Sequence, residues 1–295
     1  MADNEVSKIT WIAIVVALAG SVYGVTKIQG PLVTGAVFDK IGKIVGVDKV
    51  ERPESPNPND AKWVEKGNYG TNGYFVRDNA GNGIVYALDP QQPILAPETA
   101  VLTKSNDNLT SLQFLDKIIL PKNSNNYFAY NSNLATFETK NLDTSNVTSM
   151  SGMFAGTYTL TMLDVSKFDT SNVTDMGWMF YGMHALTTLD VSNFNTSNVT
   201  DMGWMFGDMH ALTALDVSKF NTSNVTNMNG MFNGSSALTA LDVSNFNTSN
   251  VTDVAYMFGD RYKDGHKLTP PDTSKFNTSK MTNVDQMFDD RPEVS

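Results

Sequence analysis

The sequence predicts an α/β-type solenoid, a stack of short parallel strands and helical turns, preceded by an N-terminal membrane helix and a small β-rich cap. Three observations carry that prediction: a 26-residue self-similarity in the second half of the chain, an uncharged apolar run near the start, and a Pro-rich break between them.

The apolar run, Ile9 to Val25, holds no charge over 17 residues and lies between Lys8 and Lys27, which meets the lower limit for a membrane-spanning helix. Asp3 and Glu5 stand where a cleaved signal would carry positive charge. Residues 1–27 are therefore expected to form an uncleaved transmembrane anchor. Lys40, Lys43, Lys49 and Arg52 follow it, and by the positive-inside rule they would place the repeats on the cytoplasmic face, the alternative to a cell-surface setting. In residues 28–50, Leu32, Val33, Ala36, Val37, Ile41, Ile44 and Val45 recur at helical spacing, as in an amphipathic interfacial helix. Pro53, Pro56 and Pro58 end it and make residues 51–61 an extended spacer. Residues 62–106 alternate strand-like runs with Asn-Gly turns and read as the β-rich cap.

The remainder, 107–290 with a tail at 291–295, is the repeat region. The Met-Phe pair recurs at Met153, Met179, Met205, Met231 and Met257, a step of 26, and then after 30 at Met287. The extra residues fall in an insertion at 260–267. Within one repeat, Leu186, Leu189, Val191 and Phe194 suggest a short strand entering a turn, with Asp190 facing out. Val199, Met202, Met205 and Phe206 suggest one face of a helical turn, capped by Ser197 or Asn198. One such unit cannot close a core, so neighbours must stack.

The motif Leu-Thr-x-Leu-Asp-Val-Ser-x-Phe-Asn-Thr-Ser-Asn-Val-Thr-x-Met-x-x-Met-Phe, as it stands from Leu186 to Phe206, resembles that of the BspA-like leucine-rich-repeat surface proteins of bacteria. The resemblance covers about half of the chain. It implies a leucine-rich-repeat-like stack and a surface protein whose repeats bind a protein or glycan on another surface, without enzymatic activity. The chain carries no Leu-Pro-x-Thr-Gly sorting signal, so the N-terminal helix is expected to make the membrane attachment.

Candidate site residues follow from the register. Glu138, Asp164, Asp190, Asp216, Asp242 and Asp272 form one acidic column, a candidate stripe for a ligand or for Ca²⁺, which takes oxygen donors; each Asp can equally be satisfied by nearby hydroxyl and backbone groups. Thr187, Thr213 and Thr239 with Ser166, Ser192, Ser218 and Ser244 add hydroxyl columns. Trp178, Trp204 and Tyr256 share one repeat position and form a candidate aromatic row. Asn172, Asn198, Asn224 and Asn250 are expected to satisfy backbone groups between layers. His184 and His210 lie one layer apart near Asp208, but without a fixed third ligand the sequence assigns no metal.

Composition narrows the function. A net charge of −10 with scattered Lys and Arg argues against a nucleic-acid partner. The absence of cysteine removes disulfides, thiolate metal sites and cysteine nucleophiles. No Walker loop, nucleophile elbow or His-Glu-x-x-His occurs, so the expectation is a membrane-anchored adhesion or binding protein, with a structural spacer or intracellular scaffold as the alternative, and no cofactor.

Overall fold

The computed structural model describes residues 53–100, 102, 109–259 and 268–288. The chain divides into two compact units, Met1–Ser55 and Pro56–Ser295. The expected anchor and amphipathic helix fall in the first unit and, like the insertion at 260–267, lie outside the described residues.

In the second unit, residues 57–60 of the expected spacer make a turn rather than an extended link. Asp60 N–H donates to Asn57 O, and Trp63 Nε1 and Lys66 Nζ donate to the carbonyls of Asn57 and Pro58. An antiparallel meander follows, built of β1 (Trp63–Tyr69), β2 (Gly73–Asp78) and β3 (Asn82–Ala87). Its β1/β2 turn places Asn72 at φ 65°, a left-handed value that asparagine reaches more cheaply than most residues. The third strand then pairs in parallel with β5 (Ser111–Phe114), and β5 with β7 (Thr136–Phe137). A second, all-parallel sheet joins β4 (Ile94–Leu95), β6 (Ile118–Ile119) and β8 (Leu142–Asp143).

Among the described residues beyond β8 no further strand forms; the repeats are joined by single parallel bridges at Asn123, Ser149, Asp175, Asp201, Asn227, Asp253 and Asn283. Over the described residues the fold is thus all-β, which corrects the predicted α/β solenoid: among them there is no helix of any kind, and none able to cross a membrane. The two halves of the repeat are also exchanged. The bridges fall in the Asn-Val-Thr-Asp-Met half that suggests a helical turn, whereas the Leu-Thr-Thr-Leu-Asp-Val half pairs as strand only in the first layers, at β5 and β7.

The physical reason lies in the backbone donors. The N–H groups of Met202, Trp204, Phe206 and Asp208 donate one layer on, to Asn227, Asn229, Met231 and Asn233, while Met205 and Gly207 donate three residues back, to Met202 and Trp204. A helix needs every donor aimed four residues back. Here alternate donors serve the neighbouring layer, and residues 204 and 208 take left-handed φ values of 57° and 61°, which no right-handed helix permits. A train of four-residue turns repeats its inward side chains every three or four positions, and so imitates helical periodicity.

Inside, Phe154, Phe180, Phe206, Phe232, Phe258 and Phe288 stack layer upon layer with centroids 5.4–6.2 Å apart. Val199, Met202, Met205 and Leu212, with their equivalents, close the core around them. The Asn ladder runs outside: Asn172, Asn198, Asn224 and Asn250 each donate Nδ2 to a serine carbonyl of the preceding layer at 2.7–2.9 Å. A second ladder is hidden from the sequence pattern. Thr170, Thr196, Thr222 and Thr248 are at most 2% exposed, and each hydroxyl donates to a carbonyl of the next layer while accepting that residue's N–H.

Candidate functional site

The predicted acidic column does not behave as one set. Asp164, Asp190, Asp216, Asp242 and Asp272 are exposed, and each Oδ1 accepts the backbone N–H of the serine two residues on at 2.9 Å. At Asp190, Asp216, Asp242 and Asp272 the serine hydroxyl, then that N–H, hold the carboxyl below its ordinary value. Repulsion from Asp216 pushes Asp190 and Asp242 the other way, but by less. These acids are therefore turn formers first. Glu138 differs: it is buried, burial raises its pKa, and Lys140 Nζ lies 3.6 Å from Oε2 while Oε1 has no hydrogen-bond partner among the described residues.

A second acidic line, absent from the sequence reading, sits on the bridge column. Asp201 accepts Asn227 Nδ2 on both oxygens at 3.1 and 3.0 Å, and Asp253 accepts Asn229 and Asn283. Interleaved amides thus give the carboxylates of Asp201 and Asp253 hydrogen-bond donors and separate them along the line. Asp175 has Asp201 as its neighbour instead, and its pKa is raised by burial first, with Asp201 adding to the rise.

The feature that separates some layers from others is the pair of left-handed positions in each turn train. At the first, Gly152 and Gly230 are glycines, whereas Asn126, Trp178, Trp204, Tyr256 and Gln286 hold φ values of 53°, 62°, 57°, 59° and 50°. Left-handed backbone costs a side-chain-bearing residue roughly 1–2 kcal/mol. The Trp178 and Trp204 rings stack at 5.1 Å and 19°, with Tyr181 edge-on to both. Such a stack returns only about 0.5–1.5 kcal/mol beyond its buried area. Trp204 also donates Nε1 to Asn229 Oδ1 at 2.7 Å and lies over Gly230, where a Cβ would come within 2.4 Å of the indole. Trp178 is 41% exposed, so a broad aromatic platform faces outward. The structure brings Trp178 and Trp204 together but leaves Tyr256 apart, since Gly230 occupies the layer between.

At the second left-handed position Gly156, Gly182 and Gly234 are glycines, and Tyr130 and Asp208 each hold φ 61°. The buried carboxylate of Asp208 lies between two imidazoles, with Oδ1 2.7 Å from His210 Nε2 and Oδ2 3.3 Å from His184 Nε2. The two rings stack parallel at 4.5 Å, and Tyr158 of the preceding layer stacks on His184 at 4.8 Å. The readable signal was two histidines one layer apart beside an acid, at a register position that the flanking layers fill with Gly182 and Gly234.

No curated protein and no solved structure matches the chain. The family described as "Mycoplasma protein of unknown function, DUF285" matches residues 122–215 and again 205–294, more than half of the sequence. That double match falls on the stacked repeats, and the chain belongs to this family.

Proposed function

We propose that the repeat region is a non-catalytic binding module of a cell surface, whose ligand is a carbohydrate seated on the Trp178–Tyr181–Trp204 platform. The observation that carries this reading is the strained, outward stack of two indoles at a position where neighbouring layers keep glycine. Backbone strain held at an exposed site favours function over folding as its cause. A flat aromatic face suits the C–H face of a pyranose. The resemblance to BspA-like surface proteins supports the surface setting and the absence of catalysis.

The test is a glycan array probed with the full chain and with Trp178→Gly/Trp204→Gly, which installs the residue of the neighbouring layers. The expected result is saturable binding to a subset of glycans, quenching of tryptophan fluorescence, and at least a tenfold loss in the variant. A spacer without a ligand is the competing reading, favoured by the way the outer aspartates are used up in turns. Binding to no glycan, or equal binding by parent and variant, would decide for it.

A further inference from the structure

The geometry points to a divalent-metal site at His184, Asp208 and His210, selective for zinc-like ions. It is independent of the carbohydrate reading and uses other residues of the same layers.

The donor atoms of the three side chains all lie within 4.8 Å of one another. Around a tetrahedral ion with bonds of about 2.0–2.2 Å, neighbouring donors sit about 3.3 Å apart. The separation of Asp208 Oδ2 from His184 Nε2, 3.3 Å, is already of that size, while Oδ1 and His210 Nε2, at a hydrogen-bonding 2.7 Å, would move apart by roughly half an ångström on binding. The ring nitrogens, within 4.8 Å of each other, would close to the same spacing around the ion. Three features show a site built beyond what the fold needs. Asp208 stands where the two flanking layers have Gly182 and Gly234, at a left-handed position that Tyr130 also fills, and aspartate is among the few side-chain-bearing residues that reach it cheaply. Gly234 leaves room for the carboxylate, because a Cβ there would stand 3.2 Å from Asp208 Oδ1. The histidines fill a repeat position held by Ser236 in the following layer, so neither imidazole is required for stacking.

The donor chemistry selects the ion. Two imidazoles and one carboxylate suit Zn²⁺ or a similar first-row ion, whereas Ca²⁺ takes six to eight oxygens and Mg²⁺ an octahedron of them. Three protein ligands leave a fourth position, and both histidine side chains are 36% exposed, so that position opens to solvent.

Titration of the full chain with ZnCl₂ by calorimetry, after chelator treatment, tests this. The expected result is one equivalent bound, at least tenfold weaker binding in Asp208→Gly and in His210→Ser, and unchanged binding in Trp178→Gly/Trp204→Gly. Both ligand-removing substitutions copy residues of other layers, and metal-free melting curves confirm their folding. Absence of saturable binding, or equal binding by Asp208→Gly and parent, would overturn the site and leave a hydrogen-bonded cluster only. Loss of zinc binding in the tryptophan variant would contradict its independence of the platform.

Discussion

The layers around residues 152–156 and 230–234 share a backbone path with those around 178–182 and 204–208, yet they solve its two left-handed positions differently. The outer layers use Gly152, Gly156, Gly230 and Gly234; the inner ones substitute Trp178, Trp204 and Asp208 at φ values within 10° of the corresponding glycines. One turn train therefore folds with glycine and is also made to carry two indoles and a carboxylate. The comparison separates residues that build the stack, which recur in every layer, from residues that are added to it.

The largest effect that would break this division is expected in the shared core. Phe206→Ala interrupts the ring stack between Phe180 and Phe232, where Phe206 is fully buried, and should destabilise by about 3–5 kcal/mol in denaturant unfolding. Thr196→Val keeps the shape but leaves the Asn221 N–H and carbonyl without their partner, costing about 1–3 kcal/mol by the same measurement. A neutral outcome there would remove the buried threonine ladder from the shared set.

Asp175→Asn sharpens the comparison with Asn227 and Asn283, which hold the same column elsewhere. Because burial raises the folded-state pKa of Asp175, its ionisation opposes folding: the penalty is absent in acid, below the ordinary carboxyl range, and is complete at neutral pH. The amide should therefore stabilise at pH 7 by about 0.5–1 kcal/mol and have no such benefit near pH 3. Asp143 runs the opposite way. Lys117 Nζ, at 2.7 Å, is the main cause that lowers its pKa to about 2, with the Ser145 hydroxyl and N–H assisting. Its contribution is present above about pH 4 and lost as pH falls through about 2. Melting temperatures of Asp143→Asn should accordingly match the parent more closely at pH 2 than at pH 6.

The sequence showed the repeat length, the Phe and Met core and the Asn ladder, because each depends on a side-chain type recurring at fixed spacing. It misled on the local backbone for a definable reason. Val199, Met202, Met205 and Phe206 face inward at helical spacing, but a train of turns with a left-handed residue every fourth position gives that spacing too. The glycines at 152, 156, 182, 230 and 234 contained the distinction. The bridge at Asp201 was equally hidden, since one paired residue per layer leaves no alternation to read. At the site, the aromatic row was visible as a shared register position and His184 and His210 were placed near Asp208, while the reach of one carboxylate to both imidazoles depended on knowing that the turn carries it between layers. The acidic column was the most regular feature of the sequence, and its regularity reflects the demand of one serine-capped turn in each repeat.

The measurement that bears most directly on the division between builders and additions is thermal unfolding of Trp178→Gly/Trp204→Gly/Asp208→Gly beside Phe206→Ala. Relief of left-handed strain, about 1–2 kcal/mol for each indole position, offsets the lost stacking and surface burial. The triple variant should therefore melt within about 5 °C of the parent, whereas Phe206→Ala should melt roughly 6–20 °C lower, at about 2–4 °C per kcal/mol. A triple variant that loses as much as Phe206→Ala would contradict the account, and would return the indoles and the carboxylate to the folding core.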